Sequence, residues 1–294
     1  MATLARLPVF LELGAKRALV VGGSAAAAWK AELLAAAGAS VDVFAERFCE
    51  ELCALSNTRA ISLHARAWGE QDLVGAAIAV GDFEQKEDAA AFARAARESG
   101  VLVNVIDKPD YCDFSFGAIV NRSPLVIGIS TDGAAPAFAQ AIRTRLESLI
   151  PRGFARWASA AQGWRARLGT YRLPSNVRRR FWQNFAVFAM TEPEREPQAS
   201  DLAALLDQTV RDEAAGGSIT VISPVPCDPE MLTLGAIRAL AGADILLLDG
   251  DVAPAVLDFA RREAERRSVR GLSERQIADE VFRLTSAGKH VVRV

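Results

Sequence analysis

Residues 18–44, ALVVGGSAAAAWKAELLAAAGASVDVF, hold an apolar run of strand length, a glycine turn, an alanine-rich helix (25–37) ending at Gly38, and a second apolar run at 40–44. That order is a βαβ unit, the connection that parallel strands require. Outward from it, apolar runs at 74–80, 101–106 and 125–130 also have strand length, and a second helical stretch, 86–98, ends near Gly100. Near-continuous apolar strands separated by helices predict an α/β fold with a parallel sheet covered on both faces.

The turn offers the free N–H groups and positive dipole end of a helix N-terminus, which suits the pyrophosphate of a dinucleotide. Gly22 stands at the first glycine position of such a loop, Ser24 at the second and Ala27 at the third, with Gly23, Ala25 and Ala26 completing it. Ser24 is a departure, because a bare backbone there lets phosphate approach closely. A structural βα turn is the competing reading of these residues alone. The acid that should follow the second strand and bond the adenosine ribose is Glu46, and Arg47 stands beside it; the acid favours NAD over NADP. The Tyr–Lys pair of a short-chain reductase is not found, since Tyr111 and Tyr171 have Ser115 and Ser175 four residues on.

A second informative run is VLVNVIDKPDYCDF at 101–114. Asp107 stands just past an apolar strand, and Lys108-Pro109 keeps the chain extended there. Residues beyond strand C-termini line the ligand crevice of an open α/β sheet, so Asp107 is the candidate general base, against the plainer reading of a turn residue.

After Gly133 the pattern becomes helical, with Trp157, Trp164 and Trp182 expected as packing anchors and breaks at Pro151 and Pro174. TEPEREPQAS (191–200) reads as a linker, followed by an amphipathic helix from Asp201 to Ala214 with Ser200 as its N-cap. From Gly217 a new strand–helix–strand pattern begins. The net charge of −2 favours neither nucleic acid nor membrane, although ten arginines against Glu147 alone make Arg143–Arg180 about +9. Cys49, Cys53, Cys112 and Cys227 form no CxxC pair; Cys49 and Cys53 are expected as buried free thiols on one helical face, and two histidines argue against a zinc site. No signal peptide and no apolar run of membrane length is found, which predicts a cytoplasmic protein.

The joint pattern of VVGG, NVIDKPDYCDF, NRSPLVIGIST, the IRTRLE helix and RRRFW at 178–182 resembles siroheme synthase, in order and spacing, over residues 6–190. The resemblance implies an NAD-binding Rossmann-like domain (1–114), a dimerisation region (115–150) and a helical region (151–190). A linker and helix (191–216) and a partial second α/β domain (217–294) would follow. It implies a homodimer that oxidises precorrin-2 to sirohydrochlorin with NAD and then takes Fe²⁺ as substrate. Asp107 would serve both steps, with no permanent metal. The substrate bears many carboxylates, which guanidinium matches well; Arg122, Ser130, Thr131 and Arg143 are the candidate substrate-binding residues, with Arg145, Arg152 and Arg156 as further candidates. Gly117 stands where the family usually has proline, and Thr131-Asp132-Gly133-Ala134-Ala135 replaces a turn richer in serine and glycine.

Residues 217–294 resemble part of the methyltransferase domain of the three-function enzymes. The glycine loop expected after its first strand reads Ser223-Pro224-Val225-Pro226-Cys227-Asp228, so a truncated, degenerate remnant without methyltransferase activity is expected, although Asp228 and Asp249 keep family positions. The alternative left open is a non-catalytic dimer that binds nucleotide or tetrapyrrole.

Overall fold

The computed structural model describes residues 4–214, 216–223, 225 and 228–294. The chain forms two compact units, one comprising residues up to 120 with 127–147, the other 121–126 with 148–294.

The first unit is built on five parallel strands. In chain order these are β1 (Arg17–Val21), α1 (Ala25–Ala36), β2 (Ser40–Phe44), α2 (Glu50–Ser56), β3 (Ile61–His64), β4 (Ala76–Gly81), α3 (Lys86–Glu98) and β5 (Leu102–Val105). The sheet order is β3-β2-β1-β4-β5. Side chains alternate across a strand, and β1 divides accordingly: Ala18 and Val20 pack with Ala27, Ala31 and Leu34 of α1, while Leu19 and Val21 pack with Phe92, Ala93 and Ala96 of α3. Both faces are therefore buried, as expected of all-parallel strands. The small alanines of α1 let its backbone approach the sheet. Strand β3 and helix α2 lie between the anticipated elements; β3 is a short edge strand, and its ISLH sequence has little apolar signal.

The run at 125–130 departs from expectation. It does not join the parallel sheet; β6 (Ala118–Arg122) and β7 (Leu125–Ile129) form a separate two-stranded sheet. Two residues join them, too few for the crossover a parallel partner needs, so they pair as a hairpin. Gly117 permits this locally, because a Cβ there would lie 2.2 Å from the Ile129 carbonyl oxygen. Helix α4 (Pro136–Leu149) follows.

The second unit contains α5 (Phe154–Thr170), α6 (Ser175–Thr191) and α7 (Ala199–Ala214), then β8 (Ser218–Val221), α8 (Leu234–Gly242), β9 (Ile245–Leu248), α9 (Pro254–Leu257), β10 (Glu265–Ser268), α10 (Glu274–Ser286) and β11 (His290–Arg293). Its parallel sheet has the order β10-β9-β11-β8. Trp157, Trp164 and Trp182 do anchor the helices, meeting Phe185 edge-on at centroid separations of 5.8, 5.7 and 5.4 Å. The N-terminus of α7 lies upstream of Ser200, which is inside the helix. Asp201 explains the shift: its carboxylate accepts the Gln198 N–H at 2.7 Å and binds Arg195 at 2.7 Å, so the first turn closes earlier. The thiols also differ from expectation. Cys49 is half-buried at the N-cap of α2 and Cys53 is exposed, because the core-facing residue of that short helix is Leu52; Cys227 lies outside the described residues.

Candidate functional site

The backbone register aligns Val21, Gly81 and Val105 across neighbouring strands, so the turns after β1, β4 and β5 leave the sheet at one rim. With strands spaced at about 4.8 Å, the third turn stands roughly 10 Å from the first.

In the first turn Gly22 has φ +125°, and a Cβ on it would meet that of Asp82 at 2.8 Å. Gly23 is needed for a different reason: a Cβ there would lie 1.8 Å from the Arg47 carbonyl oxygen. The Gly23 carbonyl also accepts the Cys49 N–H at 2.8 Å, which ties the turn to the segment carrying Glu46 and Arg47. Both of those side chains are exposed. Ser24 is the N-cap of α1, its hydroxyl accepting the Ala27 N–H at 3.2 Å and donating to the Asp82 carboxylate. Ala25 and Ala26 are exposed at the start of this helix. The structure therefore brings together every residue expected to hold the cofactor and adds Asp82, an acid unremarked in the sequence because it follows β4 rather than β1 or β2.

The third turn explains the run NVIDKPDYCDF. Asp107 has φ +57°, left-handed backbone that aspartate tolerates better than most residues, and its side chain is exposed. Around it the turn is fastened from several sides. Lys108 donates its ammonium to the Phe83 carbonyl at 2.7 Å. The Cys112 thiol donates to the carbonyls of Val105 and Lys108 at 3.2 and 3.3 Å and accepts the Val105 N–H at 3.2 Å. Buried Asn104 donates to the Phe114 carbonyl at 2.9 Å, and the Asp113 carboxylate accepts the Val103 N–H at 3.2 Å and the Arg97 side chain at 2.8 Å. The motif is a scaffold that presents the Asp107 carboxylate on braced backbone.

Lys30 was also missed. It belongs to the core-facing stripe Ala27, Ala28, Lys30, Ala31, Leu34 of α1 and is only 9% exposed. Its ammonium lies over the rings of Trp29 and Phe116, 4.2 and 4.0 Å from their centroids. Burial pushes it down to about 8, against the opposing pull of Asp107 and then Cys112. The available signal was a lysine inside an otherwise apolar helical stripe.

The candidate substrate-binding residues are differently placed. Arg143 donates to the Ile119 carbonyl and to Glu147 at 2.9 and 2.8 Å. Arg122 donates to the carbonyls of Ile150 and Asn121 at 3.3 and 2.9 Å. Arg143 thus ties α4 to β6, and Arg122 ties β6 to the residue that follows α4. The Ser130 hydroxyl accepts the Asp132 N–H at 3.1 Å, and the Thr131 carbonyl accepts the Ala134 N–H at 3.0 Å, forming the turn into α4. Arg156 pairs with Glu194 and Glu196.

In the second unit, a cleft of about 460 Å³ opens at the C-terminal ends of β8, β9 and β11. Arg293 fills part of it, bridging Asp249 at 2.9 Å and Glu274 at 2.7 Å. Asp228 caps a short 3₁₀ turn by accepting the Glu230 N–H at 2.9 Å. The two acids retained at family positions therefore have structural partners. Of the loop that should have been glycine-rich, Pro224, Pro226 and Cys227 lie outside the described residues. No cluster of three metal-ligating side chains is found among the described residues, and none of their helices is long and apolar enough to cross a membrane.

Five parallel strands with a glycine turn, a helix N-terminus and an acid after the second strand define an NAD-binding α/β domain, and residues 9–118 match the model of a putative NAD(P)-binding family. Residues 122–149 match the central segment of sirohaem biosynthesis proteins, and residues 218–294 match tetrapyrrole (corrin/porphyrin) methylases. The fold resembles that of SirC, a precorrin-2 dehydrogenase, with a TM-score of 0.56 and 21% identity over 70% of this chain and all of that one. Siroheme synthases of Azotobacter vinelandii and Thioalkalivibrio sulfidiphilus are 36% and 31% identical over 98% of the chain. The chain is a homologue of the siroheme synthases, and it spans 64% and 61% of the length of these two relatives.

Proposed function

We propose that this chain oxidises precorrin-2 to sirohydrochlorin with NAD⁺ and then assists insertion of Fe²⁺, working as a cytoplasmic homodimer. The observation that carries the reading is the Asp107 turn, an exposed carboxylate on heavily braced left-handed backbone at the rim that also holds the glycine turn. NAD⁺, when bound, supplies the hydride acceptor. The residues present fit it: Ala25 and Ala26 offer backbone N–H groups with only methyl side chains at the start of α1, and Glu46 is exposed where the ribose hydroxyls would lie. The Ser24 hydroxyl is turned to Asp82 and leaves that approach open.

In the oxidation one hydrogen of precorrin-2 leaves with its electron pair, and the other leaves as a proton. The Asp107 carboxylate takes that proton and, being exposed, passes it to water. Entry of Fe²⁺, the substrate of the second step, displaces two pyrrole N–H protons, which the same carboxylate accepts in turn. Ser130 and Thr131 offer hydroxyls to the substrate's carboxylates; Arg122 and Arg143, bonded internally, act through their positive field. Exposed Phe138 on α4 and Leu149 at its end support dimerisation through this region.

Residues 218–294 carry no methyl transfer in this reading, since Asp228 and Asp249 serve the fold and Val225 stands in a loop without glycine. Anaerobic incubation with precorrin-2 and NAD⁺, followed by Fe²⁺, tests the proposal through the absorbance of NADH, sirohydrochlorin and siroheme. Tetrapyrrole binding without NADH formation would favour the non-catalytic binding dimer instead.

A further inference from the structure

We propose that the cavity between α5 and α6 is a second binding site for a flat polycarboxylate, of the tetrapyrrole class that the first unit oxidises. The choice of ligand rests on that reading of the first unit; the site itself rests on charge and shape within the second.

The fold uses only part of the motif RRRFW at 178–182. Phe181 is fully buried, the Arg179 guanidinium pairs with Asp244, and Arg180 bonds to His290. Arg178 is exposed and Trp182 half-buried, and both line a cavity of about 510 Å³. Helical spacing builds its two walls. Arg165, Leu168 and Gly169 stand at i, i+3 and i+4 on α5, while Arg178 and Trp182 stand at i and i+4 on α6 with Arg179 beside them.

Surfaces where helices meet normally carry apolar side chains, yet three arginines line this one. No acid answers them from either helix: between Glu147 and Glu192 the chain has eight arginines and no aspartate or glutamate. Asp244 takes up the charge of Arg179. The side chains of Arg165 and Arg178 make no hydrogen bond or ion pair among the described residues. Arg165 instead holds its guanidinium carbon 6.0 Å from the centroid of the Trp182 ring. Gly169 leaves the α5 wall open, since a Cβ there would meet nothing within 4 Å.

The lining names the ligand class. Two uncommitted guanidinia, planar and weakly hydrated, match carboxylates in bidentate pairs. The Trp182 indole and the Leu168 side chain supply an apolar surface on which a conjugated ring can lie. An inorganic anion would use the first feature and not the second. A nucleic-acid backbone needs an extended cationic face, not a cavity between two helices. A flat ring edged with carboxylates uses both features, with one edge in the cavity and the rest in solvent.

The full chain is tested with uroporphyrin, a stable oxidised tetrapyrrole polycarboxylate, by calorimetry and by hydrogen exchange read by mass spectrometry. Bound uroporphyrin should slow exchange in peptides covering residues 165–182, and should do so equally in Asp107→Asn. Gly169→Glu sets an acid in open space among the arginines, and the double change Arg165→Glu with Arg178→Glu reverses the two uncommitted charges. Each should weaken this binding at least tenfold and remove the protection. Gly169→Ala should keep the wild-type affinity, and all three proteins should keep the wild-type rate of NADH formation at saturating precorrin-2. Wild-type affinity in either glutamate protein, or exchange at 165–182 that uroporphyrin leaves unchanged, would overturn the proposal. Equal protection by inorganic phosphate at the same concentration would overturn it too, by showing a site for charge alone. A wild type that forms no NADH yet binds uroporphyrin at 165–182 would contradict the dehydrogenase reading and sustain this site.

Discussion

Asp107 adopts a conformation that costs most residues about 1–2 kcal/mol, and asparagine is among the few that share its tolerance. Asp107→Asn is therefore the clean test of its chemistry: the melting temperature should stay within the error of the wild type while NADH formation is lost. Asp107→Ala, by contrast, should lose activity and roughly 1 kcal/mol of stability together, which denaturant melts of both variants would separate. Gly23 gives a steric counterpart. With a carbonyl oxygen 1.8 Å from where its Cβ would be, Gly23→Ala must displace the Arg47 segment, at a cost of about 1–3 kcal/mol. Gly100 has nothing nearby but stands at positive φ, which Gly23 does not, so its change to alanine should cost only backbone strain of about 1 kcal/mol. A Gly23→Ala protein as stable as the wild type would show that the close approach carries no energy.

At the scale of elements, α1 begins on a capping serine whose hydroxyl is shared between the Ala27 N–H and Asp82. Ser24→Ala should destabilise by about 1 kcal/mol and Ser24→Gly by only a few tenths, while NAD⁺ affinity of the glycine variant, measured by calorimetry, should be unchanged or higher. A marked loss of affinity would make the hydroxyl a phosphate ligand. The sequence made β1, α1, β2, α3, β4 and β5 readable because each is a long apolar or alanine-rich run bounded by a turn residue. It left β3 and α2 unread because both are short, and ISLH holds no continuous apolar run of strand length and EELCALS none of helix length. The run at 125–130 was readable as a strand, but its partner was not, since pairing depends on the two-residue connection from β6. In the site, residues defined by position after a strand could be anticipated, as Gly22 and Asp107 were. Asp82 matters only through what the fold sets beside it, and no spacing rule reveals that; the place of Lys30 in an apolar helical stripe reveals its burial but not its aromatic neighbours.

At the scale of the molecule, the second unit depends on a buried acid. Asp244 is 8% exposed and receives Arg179, Arg261 at 3.1 Å and the His290 N–H at 2.9 Å, which joins α6 to the β9–β11 sheet. Asp244→Ala removes the acid that Arg179 and Arg261 share, although Arg261 keeps the Ala243 carbonyl at 2.8 Å, and should cost about 1–3 kcal/mol, read as earlier loss of fluorescence from the Trp157–Trp164–Trp182 cluster on heating. Unchanged melting would mean the arginines find other acids. The cleft beside Arg293 should not take up S-adenosylmethionine, because a cofactor of that kind needs close backbone approach along a glycine-lined loop; equilibrium dialysis showing saturable micromolar binding would reverse that reading. The central claim concerns the first unit, and one comparison tests it directly. Wild type and Asp107→Asn are given precorrin-2 and NAD⁺ without oxygen, and NADH is followed by absorbance. The account predicts one NADH for each sirohydrochlorin from the wild type and none above background from the variant. Equal NADH from both proteins, or none from a wild type that binds both ligands, would contradict it.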